Sequence, residues 1–154
     1  MKQRFRLFIL FGFMLSCKTQ TVSENKDTSS IPIEGTWALI SGTTIVKNDT
    51  SIIDYTKSLQ MIKIINATHF SFLKHEINKG KDSAQYGSGG GSYTLTDNQY
   101  TEHLDYCSDR AWEGQSFSFT VSIQNDTLIQ TGKEKLENLG IDRIIIEKYV
   151  RIKK

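Results

Sequence analysis

Alternation of apolar and polar residues dominates the chain from about residue 35 onward, and it is clearest over residues 115–124. There Phe117, Phe119, Val121 and Ile123 alternate with serine and threonine. A period of two with one apolar face is typical of a strand with one buried side. Similar runs predict seven further strands, at residues 35–45, 59–65, 68–75, 92–96, 99–107, 127–133 and 142–153.

Turn-forming residues separate these runs. Asp97-Asn98 and Asn125-Asp126 leave gaps of two residues, which predict hairpins between consecutive antiparallel strands. Residues 47–57 and the glycine-rich residues 76–91 are predicted as longer loops, and residues 134–139 as a single helical turn. A series of consecutive antiparallel strands has two open edges, and closing the series into a barrel removes them. The predicted fold is therefore all-β, an eight-stranded antiparallel up-and-down barrel, with a two-sheet β-sandwich as the alternative.

The N-terminus has a different pattern, in which three basic residues precede the apolar run 7–15. This run is roughly half of the ~20 residues that a membrane-spanning helix needs, so residues 1–16 are predicted to be a signal peptide. The sequence Met14-Leu15-Ser16-Cys17 resembles a bacterial lipobox. That resemblance implies cleavage before Cys17 and attachment of lipid to its sulfur, which would anchor the chain to a membrane. An ordinary cleaved signal peptide is the alternative.

Residues 17–30 are almost entirely polar and are predicted to form a flexible tether. The remaining residues, 31–154, suffice for one domain and not for two. The expected location is the cell envelope, where an exported protein would be held by its lipid at the outer membrane or a periplasmic face. The membrane is thus an expected partner through the anchor alone.

Charge and reactive residues exclude several classes of function. Loss of the signal peptide lowers the net charge from +2 to about −1, and no basic run remains to bind nucleic acid. Cys107 has no partner for a disulfide and is interpreted as a buried or half-buried small apolar residue. The three histidines lack the spacing of a metal site, and no catalytic motif is present. We therefore predict no catalytic residue, no metal and no cofactor, and expect that the chain is not an enzyme.

Gly35-Thr36-Trp37 and Arg151, near the two ends of the strand region, resemble the paired landmarks of the lipocalin and fatty-acid-binding-protein group. Residues 89–95, which include Tyr93, are similar to the lipocalin-like (calycin-type) domains of bacterial lipoproteins. The likeness spans roughly residues 33–153. It implies a ligand-binding barrel in which the tryptophan closes one end and the basic residue of the last strand packs near it.

Strand parity predicts which side chains face the interior. Glu102 shares a face with Tyr100, and a buried carboxylate requires a partner, for which Tyr149 and Arg151 are the expected candidates. These polar groups are predicted either to orient the polar end of a ligand or simply to form an internal ion pair. The opposite face of the last strand is more apolar, which leaves the orientation of Arg151 open. The predicted ligand-binding residues are Trp37, Tyr93, Tyr100, Glu102, Phe117, Phe119, Tyr149 and Arg151.

Two functions remain open at this point. The barrel could bind a small, largely apolar ligand at the cell envelope, or it could be filled and contact another envelope protein through rim loops at 47–57, 76–91 and 108–114. An eight-stranded barrel can do either, because its interior is just wide enough for side chains or for one small ligand. A cavity above about 300 Å³ lined by Tyr100, Glu102 and Phe119 would favour the ligand, and a solid core with Trp112 exposed at a rim would favour the protein partner.

Overall fold

The computed structural model describes residues 31–78 and 85–153. The predicted signal peptide, the predicted tether and Cys17 lie outside the described residues. Nine strands and two short 3₁₀ turns, at Arg110–Trp112 and Glu137–Leu139, make up the described part. The strands are β1 Gly35–Val46, β2 Asp49–Asp54, β3 Leu59–Ile65, β4 His69–Glu76, β5 Tyr86–Thr96, β6 Gln99–Cys107, β7 Gln115–Gln124, β8 Thr127–Leu136 and β9 Ile141–Arg151.

One antiparallel sheet closes on itself. The strands β3 to β9 form a series in which each is paired with its neighbour in the chain. Strand β1 pairs with both β3 and β9 and so joins the two ends of this series. These eight strands form a closed barrel, and β2 is an extra strand that continues the pairing along the other half of β1. The predicted eight-stranded antiparallel barrel is confirmed, and the sandwich alternative is not observed.

Strand β2 lies where the sequence predicted a loop. Asp49–Asp54 pairs with residues 41–46 of β1 through a two-residue turn in which Lys47 has a φ of 54°. All six residues of β2 are exposed. Because the strand has no buried face, it lacks the alternation by which the other strands were recognised.

The glycine-rich segment also belongs to a strand rather than to a loop, since β5 begins at Tyr86. A side chain at Gly89 would come within 2.7 Å of the Phe72 ring on β4, and one at Gly91 would collide with the carbonyl oxygen of His103 on β6. The ladder between β5 and β6 shifts register between Gly90 and Gly91. The glycines therefore make room for neighbouring strands, as glycines within sheets commonly do.

One end of the barrel is sealed around Trp37, which is completely buried on β1. Its indole Nε1 donates a hydrogen bond of 2.8 Å to the carbonyl oxygen of Ile33. The Arg151 guanidinium lies 4.0 Å from the centre of the Trp37 ring and donates to the carbonyl oxygens of Glu34 and Pro32. The expected contact between the tryptophan and the basic residue of the last strand is present, and it covers this end.

The last strand turns its more polar face inward. Ile145, Glu147 and Tyr149 point into the barrel, while Ile144 and Val150 are 43% and 38% exposed on its outer surface. Judged by apolar content alone, the face of the strand that carries Ile144 and Val150 would have been placed inside the barrel. No helix within residues 31–78 and 85–153 is long and apolar enough to cross a membrane.

Candidate functional site

A cavity of about 340 Å³ occupies the barrel interior and extends to the end opposite Trp37. Aromatic and aliphatic side chains alternate around it with ionisable ones, so its lining is amphipathic. The lining residues are Tyr55, Met61, Lys63, Phe72, Lys74, Gly87, Glu102, Leu104, Cys107, Ser108, Asp109, Trp112, Phe117, Phe119, Gln130, Glu134, Arg143, Ile145 and Glu147.

Three polar residues, which we call the floor cluster, meet across the interior: Lys63 on β3, Glu102 on β6 and Gln130 on β8. The Lys63 ammonium donates to Glu102 Oε1 at 2.7 Å and to Gln130 Oε1 at 3.1 Å. The exposed fractions of the three residues are only 2%, 8% and 1%. The sequence correctly placed Glu102 inside, but the predicted pairing with Arg151 or Tyr149 was wrong, because Lys63 is its partner.

Aromatic rings surround the Lys63 ammonium. Its Nζ lies 5.2 Å from the ring centre of Tyr149, 5.8 Å from that of Phe70 and 5.9 Å from that of Tyr100. Such contacts stabilise a cation that has left water, and they complement the bond to Glu102. The floor cluster is therefore a desolvated charge held by one carboxylate, one amide and three ring faces.

The two tyrosines beside the floor cluster remain neutral. Burial raises the pKa of Tyr149 and of Tyr100, and the charges of nearby Glu147 and Glu102 raise both further. The Tyr149 hydroxyl donates to Glu147 Oε2 at 2.7 Å. The Tyr100 hydroxyl is buried and has no hydrogen-bond partner among the described residues.

A second set of side chains, the mouth cluster, consists of Glu134, Arg143 and Trp112. Arg143 Nε donates to Glu134 Oε2 at 2.6 Å, and the guanidinium lies 5.4 Å from the Trp112 ring centre. Trp112 in turn packs against Phe117, with ring centres 5.6 Å apart. Burial raises the pKa of Glu134 although the charge of Arg143 lowers it. Register places Glu134 opposite Arg143, further from the sealed end than Glu147.

The predicted ligand-binding residues separate into three groups. Glu102, Phe117 and Phe119 line the cavity. Tyr100 and Tyr149 are completely buried around Lys63, and Trp37 closes the far end. The remaining two residues, Tyr93 and Arg151, border a separate depression on the outside, where the Tyr93 hydroxyl donates to the carbonyl oxygen of Asn66 at 2.8 Å. The prediction that Arg151 joins a cluster inside the cavity was therefore wrong.

Several cavity residues were missed in the sequence, although the alternation of inward and outward positions along the strands indicated them. Lys63 lies on the same strand face as the buried residues Met61 and Ile65, and Gln130 lies on the same face as Leu128. Both resemble ordinary surface residues by type, and only their position marks them as internal. Cys107 is half-buried beside the core and has no disulfide partner among the described residues, and of the two burial states that the sequence left open the half-buried one is observed. No three His, Cys, Asp or Glu side chains in the described part are placed to share a metal ion.

Fold and site together define a closed antiparallel β-barrel with an amphipathic internal cavity. No family model matches the chain, and no curated protein matches it. Among solved structures, the crystal structure of an uncharacterized protein from Bacteroides eggerthii DSM 20697 is similar over 77% of this chain and 98% of that chain. The two sequences are 15% identical and the TM-score is 0.43, so no argument about function is taken from this similarity.

Lys63→Met should lower the free energy of unfolding by about 3–5 kcal/mol, because it leaves the Glu102 carboxylate buried without a cation. The double variant Lys63→Met/Glu102→Leu should be more stable than Lys63→Met, since both charges are then removed. Urea unfolding followed by tryptophan fluorescence measures both effects. The exposed pair Lys133–Asp142, changed to methionine and leucine, is the matched control and should shift stability by at most about 1 kcal/mol. A double variant that is no more stable than Lys63→Met would contradict the assigned pairing.

Proposed function

We propose that the barrel binds a small ligand at the cell envelope, with a largely apolar body and one polar end. The internal cavity of about 340 Å³ is the observation that supports this most directly. Sites for small molecules usually measure about 300–1,000 Å³ and combine apolar walls with a few polar groups. The cavity is at the lower end of that range, which favours a compact ligand.

The position of Trp112 favours ligand binding over recognition of a protein at the rim. Its ring is half-buried against Phe117 and contributes to the cavity lining instead of projecting from the barrel end. A filled barrel with an exposed Trp112 would have favoured an envelope protein as partner. The observed packing supports the ligand, because Trp112 does not project from the rim as the anchor of a protein partner would.

The cavity walls suit the two parts of such a ligand. Phe72, Phe117 and Phe119 supply aromatic surface, with Leu104 and Ile145 beside them. Burying apolar ligand surface against these walls stabilises the complex by roughly 25 cal/mol per Å² before the costs of association. The polar end would be oriented by the ionisable side chains of the lining, because unpaired polar groups are costly in a desolvated site.

We also propose that the chain is lipidated at Cys17, which would hold the barrel at a membrane surface. The lipobox-like sequence ending at Cys17 supports this. Metabolic labelling with radioactive palmitate in a bacterial host should label the chain. Cys17→Ser should abolish the label, whereas Cys107→Ser should retain it, because Cys107 is part of the barrel. Equal labelling of the two variants would contradict the proposed anchor.

Gly87→Phe should abolish ligand retention, because Gly87 lines the cavity and a large side chain there would occupy its space. The matched control is Gly87→Ala, whose Cβ would lie 3.4 Å from its nearest neighbour, an ordinary contact. The full chain and both variants are incubated with a solvent extract of bacterial envelopes and repurified. Compounds released by denaturation are then identified by mass spectrometry.

The expected result is a discrete compound that the wild-type chain and Gly87→Ala retain and Gly87→Phe does not. Equal retention by Gly87→Phe would mean that the compound binds elsewhere. Release of no compound from the wild-type chain under any extract would overturn the proposed function, and a protein partner would then be sought.

A further inference from the structure

The charges that line the barrel cavity do not balance. Three cationic side chains and four carboxylates contribute, which gives the lining a net charge of −1 when all are ionised. The cations are Lys63, Lys74 and Arg143, and the carboxylates are Glu102, Asp109, Glu134 and Glu147. Charge inside a protein is costly unless it is paired, so a group of opposite charge would be stabilised in this cavity.

Two of the four carboxylates have no cationic partner among the described residues, Asp109 near the open end and Glu147 deeper in the barrel. Lys63 pairs with Glu102 and Arg143 pairs with Glu134, but no cationic atom lies within 4.0 Å of the Glu147 carboxylate among the described residues. Its Oε2 accepts the hydrogen bond from the Tyr149 hydroxyl. That bond orients the carboxylate, which is half-buried at the cavity wall.

The two remaining charged residues of the cavity lining, Lys74 and Asp109, lie closer to the open end of the barrel. Lys74 is two residues from the end of β4, and Asp109 follows β6, where its side chain accepts from the backbone N–H of Ala111. Glu147 lies deeper, opposite Gln130 of the floor cluster in the β8–β9 ladder. Among the described residues, Lys74 forms no ion pair within 4.0 Å with Glu147, although both line the cavity.

Two further observations concern the polar groups of the barrel interior. The Tyr100 hydroxyl is completely buried and makes no hydrogen bond of ordinary geometry among the described residues, although Glu102 lies close enough to raise the pKa of Tyr100. The pKa of Glu134 is raised first by burial and further by the charges of Glu147 and Glu102. The carboxylates thus act on one another within one interior.

We propose that the cavity selects a ligand with a single cationic nitrogen, a protonated amine, which pairs with the Glu147 carboxylate while its apolar body lies against Phe117, Phe119 and Trp112. This inference rests on the proposed function and specifies its ligand class. The aromatic walls would support the same choice, because ring faces attract cations. An anionic ligand of equal size would instead meet the excess negative charge.

Three probes that carry a phenyl ring on a four-carbon chain and differ at the end of that chain test this proposal: 4-phenylbutylamine, 4-phenylbutanol and 4-phenylbutyrate, in which the fourth carbon is that of the carboxylate. Their affinities are measured by calorimetry at pH 7.5 with the full chain in phosphatidylcholine nanodiscs, and empty nanodiscs serve as the blank. The amine should bind about tenfold or more tightly than the alcohol, as expected for one charge-assisted hydrogen bond, and the butyrate most weakly.

Glu147→Gln should remove the preference for the amine and leave the affinity for the alcohol unchanged, since glutamine can still accept the bond from Tyr149. Asp142→Asn is the matched control: it changes the net charge equally but lies on the outside, paired with Lys133, and it should retain the preference. Equal affinities for the three probes, tighter binding of the butyrate, or no effect of Glu147→Gln would overturn the proposal. Binding of none of them would overturn it too, and the extract experiment shows separately whether the cavity binds any ligand.

Discussion

The ion pair between Lys63 and Glu102 is the interaction on which the interior of this barrel depends. Transfer of an ammonium and a carboxylate out of water costs several kcal/mol for each ion, and only close pairing and further hydrogen bonds offset that cost. The bond of 2.7 Å between them and the contact with Gln130 meet this requirement. Because the three residues belong to β3, β6 and β8, their contacts fix how opposite walls of the barrel face one another.

The same constraint explains why the interior is not filled. A barrel of eight strands can pack its interior with apolar side chains, yet here polar groups occupy the middle of the space. Such groups need water or a ligand where protein atoms do not reach, and a polar cavity of this size can hold either. Apolar packing is concentrated at the sealed end around Trp37, and the open half carries the mouth cluster. Division of the interior into a packed end and an amphipathic end follows from the position of the charges.

The sequence predicted the strands well where one face of a strand is buried and the other is exposed to solvent. Strand β7 was predicted with its observed bounds, because Phe117 and Phe119 alternate with hydroxyl residues along it. Strand β2 was missed because both of its faces are exposed. The glycine segment was misassigned because its role is visible only when Phe72 and the β6 backbone are in place. In each case the error arose where tertiary contacts, and not local pattern, decide the structure.

The site was predicted only in part for a related reason. Parity identified Glu102 as internal, but it could not identify a partner 39 residues away on a strand that does not neighbour β6. Arg151 was the more conspicuous cation, and it instead covers Trp37. Glu147 shares a face with Tyr149, but only the assembled barrel shows that it lines the cavity and accepts the hydrogen bond of that tyrosine. Charge balance inside a fold is a property of several strands together.

A crystal structure of the full chain, purified from bacterial envelopes without added ligand, would test the central claim most directly. We expect the Lys63 ammonium within hydrogen-bond distance of Glu102, and electron density for a small molecule in the cavity beside Glu147. A Lys63 side chain turned to solvent, or Phe117, Phe119 and Trp112 closed over the space so that no cavity remains, would contradict the account.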